Sequence, residues 1–245
     1  MNIKITHLFP RTLNLFSDKG NLAVFKNRLL RRGMGCEIFD IDFDGDMDFK
    51  DTDIVLLGGG SERALFFAAK QLLKSREKLM EYIDGGGVML ALCGGFPLLG
   101  TRAEICGEMI DGAGILNIET INAAENKITE KFSGDVVLST TLFKDKIVGF
   151  ENHTYKVYIN EHQPLGTVVL GFGNNGEDKT EGVIYKNLIG TNMHGPLLPK
   201  NPALCDFLLS NALKNKYGDD FIGLEPLDDT LENAANEYIC SRVKL

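Results

Sequence analysis

The chain alternates short apolar runs with longer stretches in which apolar residues recur every three or four positions. Ile3 to Leu8 reads as a first strand. Asn21 to Arg32 places Leu22, Val24, Phe25, Leu29 and Leu30 on one helical stripe, which Gly33 and Gly35 end. Cys36 to Phe43 alternates as a second strand, and Asp44 to Asp51 is an acidic loop. Asp53 to Leu57 is a short buried strand that runs into Gly58-Gly59-Gly60. The spacing of Leu65, Phe66, Ala69, Leu72, Leu73, Leu79, Met80 and Ile83 predicts one long helix from Arg63 to Asp84. Val88 to Leu92 is apolar throughout, as a strand covered on both faces requires. This rhythm predicts an α/β fold with a doubly wound, mostly parallel sheet and helices on both faces.

After Glu104 the rhythm changes. Val136 to Thr140, Lys146 to Phe150, Thr154 to Ile159 and Thr167 to Phe172 are short strand patterns separated by turns, so an antiparallel β insertion is expected. Val183 to Tyr185 and Asn187 to Met193 predict a final hairpin leading to His194. Pro202 to Lys216 reads as a closing helix. Residues 219–245 are polar and acidic, with a helical pattern from Leu227 to Ile239. The expected organisation is one domain over 1–218 and a C-terminal helical segment over 219–245.

Composition narrows the function classes. The 245 residues are 44% hydrophobic and 24% charged, as in an ordinary globular chain. A formal charge of -8 argues against nucleic acid or an anionic membrane as the main partner. No apolar run approaches the roughly 20 residues that span a bilayer. The first residues read as a strand rather than a signal peptide. Cys36, Cys93, Cys106, Cys205 and Cys240 are scattered and form no CxxC pair. They point to a reducing cytoplasm, with no disulfide framework and no structural zinc, and no metal site is expected.

The candidate chemistry lies at Leu92-Cys93-Gly94-Gly95-Phe96-Pro97. A lone cysteine is more often a small buried hydrophobe. Here it ends a buried strand, two glycines follow, and Pro97 sits where the first turn of a helix is expected, the order that a nucleophile elbow needs. A helix N-terminus beside the sulfur would favour thiolate. Backbone N–H groups of Gly59, Gly60 and Gly94 are the candidate oxyanion donors. The base is sought among His7, His153, His162 and His194. His194 ends a predicted strand, where ligands of open parallel sheets gather, and is the favoured partner of Cys93. His153 is the rival, set in the β insertion. Together these parts describe acyl transfer through a thioester.

Several pieces carry a family resemblance. They are Leu13-Asn14-Leu15-Phe16-Ser17-Asp18-Lys19-Gly20-Asn21, Gly58-Gly59-Gly60-Ser61-Glu62-Arg63, Leu92-Cys93-Gly94-Gly95-Phe96, Gly149-Phe150-Glu151-Asn152-His153, Gly173-Asn174-Asn175-Gly176-Glu177-Asp178 and His194-Gly195-Pro196-Leu197-Leu198-Pro199-Lys200-Asn201. The chain resembles the class I glutamine amidotransferases of the cobyric-acid-synthase type, and within them the glutaminase subunits of lipid II isoglutaminyl synthases. The resemblance implies a flavodoxin-like fold, Cys93 as nucleophile and His194 as its dyad partner. It implies hydrolysis of L-glutamine and transfer of ammonia to a MurT-like Mur-ligase subunit in a heterodimer. That partner, with ATP and Mg on its own side, would amidate the D-glutamate of the lipid II stem peptide. No cofactor is expected on this chain. The usual class I acid two residues after the histidine is here Pro196, and Glu151 is the candidate to orient His194 instead. A family arginine that contacts glutamine lies in an Arg-Leu-Thr-Gly-Asp-like segment. The matching stretch is Lys131-Phe132-Ser133-Gly134-Asp135, so Lys131 takes that role and loses the bidentate fork. The loops at 58–63 and 114–135 are expected to meet the partner. Two other readings remain: a glutaminase for another carboxylate such as a corrinoid, and an inactive binding module of the same fold. An inert Cys93 thiol would favour the module.

Overall fold

Along the chain run β1 (Asn2–Leu8), α1 (Lys19–Arg31), β2 (Gly35–Ile41), β3 (Ile54–Leu57), α2 (Glu62–Lys74), α3 (Arg76–Asp84) and β4 (Val88–Leu92). The insertion contributes β5 (Arg102–Ile105), β6 (Glu108–Asp111), β7 (Glu119–Asn122), β8 (Phe132–Ser139), β9 (Ile147–His153), β10 (Tyr155–Tyr158), β11 (Gly166–Leu170) and β12 (Thr180–Glu181). The chain closes with β13 (Val183–Tyr185), β14 (Leu188–Thr191), α4 (Pro202–Tyr217) and α5 (Thr230–Cys240). The computed structural model describes residues 1–15, 18–122 and 131–243.

The central sheet has the order β13-β14-β4-β3-β1-β2. All its pairings are parallel except that of the edge hairpin β13–β14. β3 and β4 are buried at every position, which is why their sequence is continuous rather than alternating. On one face Val55, Leu57, Met89 and Ala91 pack against Leu65, Ala68, Leu72, Leu79 and Ile83 of α2 and α3. On the other, Ile3, Ile5, Ile54, Leu56 and Leu90 pack against Leu22, Phe25 and Leu29 of α1 and Leu204 and Leu208 of α4. The insertion forms two four-stranded sheets, β10-β7-β5-β6 and β12-β11-β8-β9.

Two local expectations are corrected. The helix expected over Arg63–Asp84 is two helices that part at Ser75, whose N–H reaches both Gln71 O and Leu72 O at 3.1 Å. The apolar stripe stays in register across the break, so periodicity does not register it. After the elbow there is no helix, only two three-residue 3₁₀ turns, Cys93–Gly95 and Pro97–Leu99. β5 to β7 lie outside the strands that periodicity predicts; each has four residues, too few for a periodic signal.

The C-terminal segment folds back across α1 and α4 and is held by polar ties. Arg28, almost fully buried, forks onto Asp206 (2.7 and 2.7 Å) and Asp229 (2.5 and 2.9 Å). Arg32 adds a second fork on Asp206 and reaches Glu225 O at 2.7 Å. Asn236 Nδ2 donates to Lys146 O and Lys200 O, both at 2.9 Å, and Arg242 pairs with Asp135. Among the described residues, no helix is long and apolar enough to cross a membrane.

Candidate active site

β4 delivers Cys93 to the carboxyl rim of the sheet, and the chain then turns sharply. Cys93 has φ +47°, a left-handed conformation that residues with a Cβ rarely adopt. This is the strained turn of a nucleophile elbow. The neighbouring glycines allow it: a Cβ on Gly95 would stand 2.5 Å from Gly58 O, so the turn after β3 passes directly against the elbow.

Cys93 borders a cavity of about 190 Å³ shared with Glu62, Glu104, Thr120, His153 and Tyr155. Drug-sized sites run to roughly 300–1,000 Å³, so this one suits a single small metabolite. A larger cavity, about 590 Å³, lies at the opposite rim beside the amino ends of β3 and β4, lined by Asp46, Thr52, Tyr82 and Asn215 and by no cysteine or histidine. Ligands of open α/β sheets gather at the carboxyl ends, where Cys93 stands.

Burial pushes the Cys93 thiol up to about 12. The Gly94 N–H and the Tyr155 hydroxyl, which face the sulfur, oppose the rise, while Asp18 and Glu181 add to it. The thiolate-favouring helix terminus expected from sequence is absent because a three-residue turn aligns too few peptide dipoles to make one. Asp18 is fully buried at the mouth of α1. Its Oδ2 accepts from Gly59 N–H at 3.3 Å, so the N–H of that expected oxyanion donor is already engaged. Burial raises the Asp18 carboxyl to about 6, against the pull of Gly59 N–H. Gly60 and Gly94 line the cavity itself.

His194 follows β14, which pairs in parallel with β4 so that Thr191 lies opposite Leu92. Cys93 and His194 therefore leave adjacent strands at the same rim. The backbone N–H of His194 donates to Phe150 O at 2.9 Å, and its ring meets Phe150 edge-on at 5.6 Å. Burial lowers His194 to about 4, with the nearby His153 and Lys200 acting in the same direction. At pH 7 it is neutral and able to take a proton.

His153, rather than His194, lines the cavity beside Cys93. Its Nδ1 lies 2.9 Å from Tyr155 O and its Nε2 3.6 Å from Glu151 Oε2. Glu151 is buried and accepts from Phe172 N–H (2.6 Å) and Gly173 N–H (3.0 Å). The carboxylate considered from sequence as an orienter of His194 thus stands beside His153. Glu181, also buried, accepts from Thr191 Oγ1 (2.6 Å) and Asn192 N–H (2.8 Å) just behind the rim. Sequence reasoning missed Asp18, Tyr155 and Glu181. Asp18 lies inside a quoted motif, whereas a tyrosine and a glutamate in short strands carry no local signal. Lys131 is exposed, one residue before β8, and does not border the cavity; Phe132 after it stacks on Phe172 (5.1 Å) and meets His153 edge-on (5.3 Å). Of the expected partner loops, 123–130 lie outside the described residues, as do Phe16 and Ser17 of the first motif.

The remaining histidines have other surroundings. His162 Nε2 accepts from Asn117 N–H at 2.9 Å in a surface turn. His7 is fully buried beside β2, 3.8 Å from Asp40, and burial lowers it to about 4. A histidine whose folded value lies below its ordinary 6.5 binds its proton more readily in the unfolded chain. Its penalty is absent above about pH 6.5 and grows as pH falls toward 4. His194 acts with the same sign, and Asp18, raised to about 6, with the opposite sign over part of that window. Urea midpoints are therefore expected to fall between pH 7 and pH 4.5, with His7 alone contributing on the order of 2 kcal/mol. A His7→Gln variant is expected to flatten the profile; an unchanged slope would contradict this assignment.

The sequence and fold also match known proteins. Residues 4–202 match the model of the CobB/CobQ-like glutamine amidotransferase domain. The chain is 38% identical over 243 residues to the lipid II isoglutaminyl synthase (glutamine-hydrolyzing) subunit GatD of Staphylococcus aureus, covering 98% of this chain and 96% of that protein. It is 37% identical over 239 residues to the GatD subunit of Streptococcus pneumoniae, covering 96% and 90%. Among solved structures, a chain in the structure of PurLQS from Thermotoga maritima has a similar fold, with TM-score 0.58 and 16% identity, covering 87% of this chain and 99% of that one. The elbow, the rim and the near-full-length likeness agree: the chain belongs to the CobB/CobQ-like glutamine amidotransferases.

Proposed function

We propose that this chain is the glutaminase subunit of a lipid II isoglutaminyl synthase. Its identity to two GatD subunits over nearly their whole length carries the reading. In it, Cys93 Sγ attacks the side-chain amide carbon of L-glutamine while His194 takes the thiol proton. The N–H groups of Gly60 and Gly94 hold the oxygen of the tetrahedral intermediate. Collapse returns the proton to the leaving nitrogen, ammonia departs, and water hydrolyses the thioester to glutamate. Glu62 and Glu104 give the cavity an anionic lining that suits the substrate's α-ammonium group. Thr120 Oγ1, buried and without a hydrogen-bond partner among the described residues, adds a donor or acceptor for it. Lys131 is assigned to the α-carboxylate from the family position. The ammonia passes to a MurT-like ligase subunit, which holds ATP and Mg and amidates the D-glutamate α-carboxylate.

The test supplies both subunits, lipid II, ATP, Mg and glutamine isotopically labelled at the side-chain nitrogen. Label is expected in the new amide of the stem peptide. Ammonia release with no transfer to lipid II would refute the acceptor, and no ammonia at all would refute the glutaminase.

A further inference from the structure

The chain passes from β14 to His194 through Thr191, Asn192 and Met193, and every backbone N–H from 192 to 194 is held. Asn192 N–H donates to Glu181 Oε1 at 2.8 Å, Met193 N–H to Thr191 Oγ1 at 3.1 Å, and His194 N–H to Phe150 O at 2.9 Å. The Thr191 hydroxyl gives its own proton to Glu181 Oε1 at 2.6 Å, which leaves a lone pair for Met193 N–H. Glu181 Oε2 takes a third bond, from Asn192 Nδ2 at 3.0 Å. One carboxyl group thus fixes two successive N–H groups of the turn, one directly and one through a hydroxyl.

That carboxyl group is itself held against β14. Glu181 ends β12, and Gly182 after it has φ +64°; a Cβ there would stand 2.5 Å from Gly190 O, so the crossing into β13 lies directly on β14. Asn174 locks the crossing. Its Oδ1 accepts from Gly182 N–H (2.9 Å) and Asn192 Nδ2 (3.0 Å), and its Nδ2 donates to Gly182 O (3.2 Å). Val157 N–H of β10 donates to Asn174 O at 2.7 Å, which ties the same group to the insertion. Asn174, Glu181, Thr191 and Asn192 are fully buried, where a lost partner costs more than it does in water. Burial pushes the Glu181 carboxyl up, and its three bonds oppose the rise.

We propose that Glu181 is a positioning residue for His194: from the β insertion it sets the turn over 191–194, and so the place of the imidazole at the rim where Cys93 stands. It acts through the backbone of the turn and not on the reacting atoms. Glu181 has this role in catalysis only if His194 is the base of the proposed glutaminase; the identity of the ammonia acceptor does not enter.

The test compares Glu181→Gln, Thr191→Val and Thr191→Ser in the full chain, each with its thermal melt. Glu181→Gln keeps an oxygen for Asn192 N–H but sets an amide N–H against Asn192 Nδ2; turning the Asn192 amide over would set its oxygen against Asn174 Oδ1. Thr191→Val removes the hydroxyl relay, and Thr191→Ser keeps it. With the partner subunit present, Glu181→Gln and Thr191→Val are expected to lower kcat for glutamine roughly tenfold with KM little changed, short of the about 10²-fold that a misplacement of about 1 Å costs. Thr191→Ser is expected to stay close to the parent. Glu181 raises the Cys93 thiol, so losing its charge would by itself favour thiolate, and a fall in kcat reports the turn instead. A second readout needs no glutamine: titration of the His194 ring between pH 7.5 and pH 4.5 by NMR, assigned by the signal lost in His194→Gln. Burial, His153 and Lys200 hold His194 at about 4, so the parent ring stays neutral over most of that range, whereas the loosened turn in Glu181→Gln and Thr191→Val moves its midpoint up toward the ordinary 6.5. Lower melting temperatures with kcat, KM and the titration of the folded variants unchanged would overturn the proposal, as would a Thr191→Ser chain as impaired as Thr191→Val. A shifted titration in a chain that hydrolyses no glutamine would uphold the positioning of His194 while refuting the glutaminase reading.

Discussion

Cys93→Ala is expected to lower ammonia release from glutamine by about 10⁴-fold or more, because the thioester route is lost and only binding and the oxyanion donors remain. The fold is expected to survive, since the change removes one buried sulfur and leaves the turn as it was. The size of the effect follows from the resting site. With the thiol pushed well above its ordinary value by burial, it rests protonated at pH 7. Attack therefore needs the proton removed as the substrate arrives. His194, lowered to about 4, is neutral at that pH and can receive it. Cys93→Ser is expected to be nearly as inactive, because a hydroxyl is harder still to ionise in the same burial. The measurement is glutamine turnover with the partner subunit present, alongside a thermal melt of each variant. A Cys93→Ala chain that still released ammonia at more than a hundredth of the parent rate would remove the thioester from the mechanism.

What the sequence revealed and what it hid divide along physical lines. β3 and β4 are continuous apolar runs bounded by glycine, and both were legible because a strand covered on two faces tolerates nothing else. The elbow was legible for the same reason: strand, cysteine and glycines form one local pattern. The break at Ser75 was not, because Leu79 and Ile83 keep the stripe of α2 in phase across it. The environment of the thiol was not legible either. Local order predicts a helix dipole that favours thiolate, but Asp18 and Glu181 come from positions 75 residues before and 88 residues after Cys93 and act with the opposite sign. Likewise Glu151 and His153 are two apart in the sequence, yet only their shared face of β9 shows that the two side chains stand together.

The largest stability effect is expected at Arg28→Ala. Arg28 is buried, and its guanidinium is shared between Asp206 of α4 and Asp229 just before α5. Burial alone would push the Asp206 carboxyl up, but the forks of Arg28 and Arg32 outweigh it and hold Asp206 below the usual carboxylate range. Removing Arg28 leaves Arg32 to Asp206, while Asp229 loses both of its bonds. Breaking a buried pair from one side costs about 3–5 kcal/mol; the partial exposure of both aspartates argues for the lower end, about 3 kcal/mol. For a chain of this size that corresponds to a fall in Tm of roughly 6–12 °C. The consequence extends to the active-site rim. Asn236 of α5 bonds to Lys200 O and Asn201 Oδ1, and Asn201 in turn grips Val148 of β9 and Leu197, three residues past His194. Since α5 has no buried residues, releasing Asp229 removes one of the few ties that hold this latch in place. Arg28→Ala is therefore expected to lower glutamine turnover several-fold at temperatures where the chain is still folded, whereas Asn236→Ala lowers turnover with a smaller change in Tm. Loss of stability with turnover intact in both variants would separate the C-terminal segment from the site, and an unchanged Tm in Arg28→Ala would remove the charge network as a structural element.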